Sequence, residues 1–191
     1  MNDRADQVLG VMKSRRVTRS FTTQPIPDDL LMKIAQAGRF AASGGNLRPH
    51  RFVITRDPET IKQIRSFSPG MLGIPQAIVA ILIDHDQVRR EWLSIDPSMV
   101  PYIDVGTAAQ NMLNMAHALE LGSCPVTSFS QSAVGRILEI PGHLTIELLI
   151  ILGYPEQVDR SVNPNAPKPI TTRDLTSWER FGQHAASEHK S

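Results

Sequence analysis

Cysteine is almost absent from this chain. Cys124 is the only one in 191 residues, which excludes an intrachain disulfide and leaves nothing to tie the fold to an oxidising compartment. Charge of one sign is lacking as well. Twenty Lys and Arg stand against nineteen Asp and Glu, a formal net charge of +1. That balance offers no electrostatic case for nucleic acid or for an anionic membrane. The most apolar runs, Ala77 to Ile83 and Ile146 to Leu152, fall far short of the ~20 residues that span a bilayer. The opening Met1-Asn2-Asp3-Arg4-Ala5-Asp6 is partly acidic and leads into no apolar core, unlike a secretory leader. A cytoplasmic protein is expected. Gly-x-Gly-x-x-Gly and Walker A loops are missing, which disfavours a Rossmann or P-loop nucleotide site. Gly-x-Ser-x-Gly is missing too, and the six histidines show no paired spacing that would hold a metal.

What is present is ordinary for one globular domain: 41% hydrophobic and 20% charged residues, in a length that buries a single core. Apolar positions at Val8, Leu9, Val11 and Met12 predict a short amphipathic helix over 6–16. Gln24 to Asp29 breaks the chain and supplies an acidic helix start, and Leu30 to Gly38 follows at helical spacing. A small-residue loop at 42–46 leads into a strand at 52–54, and Glu59 to Phe67 reads as another helix. Ala77 to Ile83, apolar without alternation, suits a strand buried on both faces. Residues 86–101 resist assignment. A long helix is expected from Asp104 to about residue 120, closed by a left-handed cap at Gly122. A strand at 124–129, a helix at 132–139 and a strand at 145–152 complete the pattern. The chain then runs extended and proline-rich from Pro155 to Pro169. Alternating helices and apolar strands argue for an α/β or α+β fold around one sheet.

Four segments carry residues suited to chemistry. Arg15, Arg16 and Arg19 lie within five residues, and on a helix Arg15 and Arg19 would share a face. Two forked guanidiniums grip a phosphate dianion well, although a solvated basic face has the same composition. Ser43-Gly44-Gly45-Asn46-Leu47-Arg48-Pro49 lets backbone approach a planar ligand and offers hydroxyl and amide hydrogen bonds. It also suffices as a plain helix stop and turn. Leu121 to Phe129 brings Pro125, Thr127 and Ser128 after the long helix, with Cys124 reading as a small core residue. Last come Leu152-Gly153-Tyr154-Pro155 and, further on, Lys168 and Arg173.

In this order the four segments resemble the nitroreductase family of flavin enzymes. The first resembles the family's Arg-x-Ser-x-Arg/Lys-x-Phe pattern through Arg15, Arg19 and Phe21, with Val17 in place of the serine. The second resembles Pro-Ser-x-x-Asn-x-Gln-Pro-Trp through Ser43, Asn46 and Pro49, while Ala42, Arg48 and His50 depart from it. The resemblance implies a mixed sheet flanked by helices and a homodimer holding FMN between its chains. One chain would supply the arginine motif and the other the 42–46 loop. It implies FMN contacts from Arg15, Arg16, Val17, Arg19, Ser43, Asn46, Pro125, Thr127, Ser128 and Lys168, with Arg173 as a substitute for Lys168. Arg48 and His50 would shape the substrate pocket for a polar or anionic molecule. Trp92 and Tyr102 read either as lid residues over the flavin or as surface packing. Residues 1–182 would form one FMN-binding domain, with 183–191 a polar tail.

The implied reaction is ping-pong: hydride passes from NADH or NADPH to flavin N5 and then to a nitroaromatic, a quinone or a free flavin. No protein residue need act as a strong acid or base, because the cofactor carries the chemistry. Two other readings stay within the flavin scaffold: an FMN carrier or sensor without turnover, and a specialised reaction such as flavin destruction or reductive dehalogenation. Another dispenses with flavin, the arginines meeting an acidic protein partner.

Overall fold

The apolar run at 77–83 becomes the centre of the molecule. In the computed structural model, which describes residues 3–91, 99–156 and 170–183, this run is strand β2 (Ala77–Asp84) and every residue in it is buried. Side chains on a strand alternate between faces, and here both faces are covered. Ala77, Val79, Ile81 and Ile83 enter one apolar cluster, and Ile78, Ala80 and Leu82 enter another. Strands β1 (His50–Thr55), β3 (Gly122–Val126) and β4 (Leu144–Gly153) complete a sheet of order β1-β2-β4-β3. Its neighbouring strands all run antiparallel. The parallel element expected of a mixed sheet is the isolated bridge between Val17 and Ser123.

Two helical layers sandwich the sheet. Helices α2 (Asp28–Arg39) and α5 (Val100–Ala118) cover one face, with Leu31, Ile34, Val105, Ala109, Met112 and Ala116 facing the odd residues of β2. Helices α3 (Pro58–Ser66) and α6 (Gln131–Ile137) cover the other through Ile61, Ile64 and Val134. The start of α3 is explicit in the sequence. Asp57 caps it by accepting from the Thr60 amide at 2.8 Å, and Pro58 fills the first turn. The stretch around 86–101 contains α4 (His85–Glu91) and the first turn of α5. Pro101 sits in the first turn of α5, where the missing N–H costs nothing, and α5 begins at Val100 rather than the expected Asp104.

Two expectations are overturned at helix ends. Helix α1 (Asp3–Ser14) stops before the arginines instead of running to residue 16. After α5, Glu120 rather than Gly122 takes the left-handed conformation, with φ of 61°. Gly122 belongs to β3, opposite Gly153 on β4. A Cβ at Gly122 would lie 2.6 Å from Thr18 Cγ2, and one at Gly153 would lie 2.7 Å from Phe21 Cδ1. The glycine pair therefore makes room for the segment after α1 to lie against the end of the sheet.

The chain divides into two units, residues 1–157 and 158–191. In the second, helix α7 (Thr172–Leu175) opens with a reciprocal capping box between Thr171 and Asp174. No helix among the described residues is long and apolar enough to cross a membrane.

Gly122→Ala should destabilise the fold by about 1–3 kcal/mol, because Thr18 is β-branched and cannot swing clear of the added methyl. Urea unfolding of the variant against wild type checks this; an unchanged midpoint would show that the segment does not depend on the glycine.

Candidate functional site

Residues 15–20 leave α1 as extended chain, because their backbone is claimed by β3. Val17 pairs with Ser123, and the Thr18 amide donates to the Ser123 carbonyl at 2.9 Å. The shared helical face expected for Arg15 and Arg19 is therefore replaced by the two-residue repeat of a strand. Positions 15, 17 and 19 still fall on one side, while Thr18 is buried on the other. Arg16 turns back to the end of α1, where its Nη1 donates to the Lys13 carbonyl at 2.6 Å and the Arg15 carbonyl at 2.9 Å.

Arg15 is the residue left unfinished. Its Nη1 is buried and has no hydrogen-bond partner. Leaving a charged donor dry and unpaired is costly. Next to it, Ser14 Oγ meets His117 Nε2 at 2.7 Å and pins the segment to the C-terminal turn of α5. Arg19 lies beside the β3 residue Cys124. Burial pushes that thiol's pKa up, and the nearby Arg19 guanidinium opposes the shift. Gly73, with φ of 87°, packs on the Arg19 carbonyl so closely that a Cβ would sit 2.0 Å from its oxygen.

The strand bridge brings the arginines to the third predicted segment. Pro125, Thr127 and Ser128 are all exposed at and just beyond the end of β3. Pro125 has no N–H to offer a further strand, which keeps that edge open. Cys124 is buried and packs into the α3–α6 cluster, as a small core residue should.

The 42–48 loop is strained and tightly bonded. Gly45, Asn46 and Arg48 all have positive φ, at 58°, 58° and 50°. Ser43 Oγ accepts from the Arg48 amide at 3.2 Å, and Asn46 Oδ1 accepts from Arg48 Nη2 at 2.9 Å. Gly44 donates its amide to Asp104 Oδ1 of α5 at 3.0 Å. Arg48 and His50 line a groove of about 700 Å³ between α2 and β1, together with Lys33, Arg39 and Phe52. His50 is 5% exposed, stacked on Phe52 at 5.2 Å, and its Nδ1 has no partner. Burial, then the charges of Arg51 and Arg48, hold its pKa below 6.5. Neighbouring Arg51 donates to Asp84 at 2.9 Å and Gln87 at 2.8 Å, and Gln87 donates to the Leu47 carbonyl at 2.7 Å. Burial alone would raise the Asp84 carboxyl, but the Gln87 amide and Arg51 bring it below its ordinary value.

The predicted residues thus form two groups. One runs along β3: Arg15 and Val17 begin it near the C-terminal end of α5, Arg19 lies beside Cys124, and Pro125, Thr127 and Ser128 lie at the far end of the strand. Ser43, Asn46, Arg48 and His50 gather near the N-terminal end of α5, where Tyr102 is exposed on the first turn. The ties at Asp104 and His117 lie thirteen residues apart on α5, about 20 Å at 1.5 Å per residue. Trp92 and Lys168 lie outside the described residues. Arg173 is exposed on α7 in the second unit. Among the described residues no His, Cys, Asp and Glu cluster could hold a metal ion. Sequence reading missed Asp104, whose signal was an acid within the apolar stripe of a long helix.

Comparison with known proteins bears on the family and the fold. The profile of the nitroreductase family matches residues 12–73 and 68–154. The NADH dehydrogenase of Thermus thermophilus is 27% identical over 172 residues, covering 75% of this chain and 84% of its own length. An FMN reductase (NAD(P)H) of Bacillus subtilis is 24% identical over 187 residues, covering 90% and 74%. Among solved structures, a nitroreductase family protein of Clostridium difficile superposes with a TM-score of 0.75 at 20% identity, over 90% of this chain and 97% of that one. At that identity the superposition speaks for the fold.

The buried His50, its pKa held down by burial and the nearby arginines, sets a pH dependence. The unfolded chain takes up the proton first, so stability should fall as pH drops from 6.5 through the depressed folded value. His50→Leu should flatten that slope in urea unfolding between pH 5 and pH 8. Equal slopes for the two proteins would mean that His50 titrates alike in the folded and unfolded chain.

Proposed function

The chain belongs to the nitroreductase family, and from that premise we propose an NAD(P)H-dependent FMN oxidoreductase that works as a homodimer with one flavin at each shared site. The observation that carries the proposal is the buried, unpaired Nη1 of Arg15. A phosphate dianion is the ligand that a forked guanidinium of this kind satisfies best. Arg15 and Arg19 hold that phosphate and the adjoining negative charge, and Arg16 supports the segment by closing α1. Val17, without a hydroxyl, contributes backbone and shape.

When bound, FMN supplies the chemistry of accepting hydride from NADH or NADPH and passing it to an oxidised acceptor such as a nitroaromatic, a quinone or a flavin. The chain's own residues bind and orient. Pro125, Thr127 and Ser128, exposed at the end of β3, offer backbone groups and hydroxyls to the polar edge of the ring, where both donors and acceptors are needed. Ser43 and Asn46 come from the second chain. This assignment follows the resemblance to the family, in which the flavin lies between two chains. The exposed apolar residues Val8, Leu9 and Met12 of α1 provide surface for such a dimer. As the resemblance implies, Arg48, His50, Trp92 and Tyr102 would shape access for the acceptor, and Lys168 or Arg173 would add charge at the phosphate. The FMN domain is taken as residues 1–182 of a cytoplasmic protein, with 183–191 as its tail.

The visible spectrum of the purified protein, with the released cofactor identified by mass, tests the reading. Stoichiometric FMN, bleached by NADH or NADPH, is the expected result. A yellow protein that neither nicotinamide bleaches would be a carrier, and one that neither contains nor takes up FMN would end the proposal. Arg15→Ala should weaken FMN binding roughly ten- to hundredfold, the worth of a charged hydrogen bond. Arg19→Ala should lower FMN retention or slow flavin reduction.

A further inference from the structure

The face of α5 beneath the 42–46 loop carries three polar side chains at helical spacing, and each bonds the chain that leads into the loop. Asp104 Oδ1 accepts from the Gly44 amide at 3.0 Å. Thr107 Oγ1 donates to the Ala42 carbonyl at 2.9 Å. Asn111 Nδ2 donates to the Ala37 carbonyl at 3.3 Å. Positions i, i+3 and i+7 form one stripe, and the three backbone targets follow in reverse order along it. We propose that Asp104, Thr107 and Asn111 form a positioning ladder that fixes the Ser43–Asn46 loop for ligand contact, with Asp104 as the rung on which the loop depends. This rests on the reading that the loop meets FMN.

Three features support Asp104 in that role. It is 2% exposed, and its second oxygen is buried with no partner, an expensive state for a carboxyl. Its neighbours on the buried side, Val105, Ala108, Ala109 and Met112, are all apolar. Packing alone would therefore be served by another apolar residue. The loop it holds places Asn46 and Arg48 in the left-handed region that side chains disfavour, so the conformation needs an external tie. Burial drives the Asp104 acid towards its neutral form, against the pull of the Gly44 amide. A carboxyl group and an asparagine amide are nearly the same shape, and each can present one oxygen to that amide. Asp104 touches neither cofactor nor substrate in this account; it acts through Gly44.

The test uses the full chain with Asp104→Ala and with Asp104→Asn, followed by amide hydrogen exchange of residues 42–48 without added FMN and by FMN titration. Asp104→Ala should speed exchange in the loop about tenfold and weaken FMN binding about tenfold, the equivalent of one hydrogen bond. Asp104→Asn should restore both. Unchanged exchange in Asp104→Ala, or an Asn variant no better than Ala, would overturn the ladder. Faster exchange with unchanged FMN affinity would overturn its service to the site. A wild-type protein that ignores FMN would end the functional reading instead, and loop exchange alone would then decide the ladder. If Asp104→Ala fails to fold, Thr107→Val is compared with wild type by the same exchange and titration. It removes the Ala42 rung and the hydroxyl's bond to the Asp104 carbonyl, and unchanged loop exchange in it would overturn the ladder.

Discussion

Helix α5 is the constraint from which the rest follows. It packs against α2 on one side and against the sheet beneath, and α2 approaches it so closely at Gly38 that a Cβ there would meet Met112 Cε at 2.3 Å. Nineteen residues give it a length of about 28 Å. One end holds the 42–46 loop through Asp104 and Thr107, and the other holds the arginine segment through His117 and the turn into β3. A stiff helix anchored along its whole length cannot bring those ends together. On the proposed function, these ends would be two half-sites completed by a second chain.

Polar strain is distributed to match. The two clusters that enclose β2 are almost wholly apolar, and the central strand pairs on both sides. The buried side-chain atoms without partners among the described residues belong to Arg15, His50, Asp104 and Ser123. All lie in the arginine segment, the strand end beside it, or the loop and its anchor. Native interiors satisfy their polar groups as a rule, and the exceptions here sit where a ligand or a second chain would be expected to arrive. Positive φ values at Gly45, Asn46 and Arg48 fall in the same places, consistent with strain held at a working site by rigid surroundings.

Much of this was legible in the sequence, for physical reasons. Ala77 to Ile83 suited a doubly covered strand, and Glu59 to Phe67 read as the helix that became α3. The arginine and Ser-Asn segments were recognisable in their order. Less accessible were features decided by distant partners. Residues 15–19 look like the end of a helix until Ser123 competes for their backbone. Gly122 looks like a helix cap, yet its purpose is to admit Thr18, a residue 104 positions away. Residues 86–101 resist assignment, although Pro101 at a helix start breaks nothing. Asp104 reads as a helix start, and its link to Gly44 is visible only once α5 lies under the loop.

The central claim is that each complete site takes its arginines from one chain and its Ser-Asn loop from another. Mixed dimers test it most directly. Chains carrying Arg15→Ala and chains carrying Asn46→Ala, with different tags, are co-expressed, and the mixed species is purified for FMN titration. Both parent homodimers should bind FMN weakly. The mixed dimer should recover one site of wild-type affinity, because one of its two sites draws an intact Arg15 and an intact Asn46 from different chains. A mixed dimer no better than its parents would contradict the account and place both half-sites within a single chain.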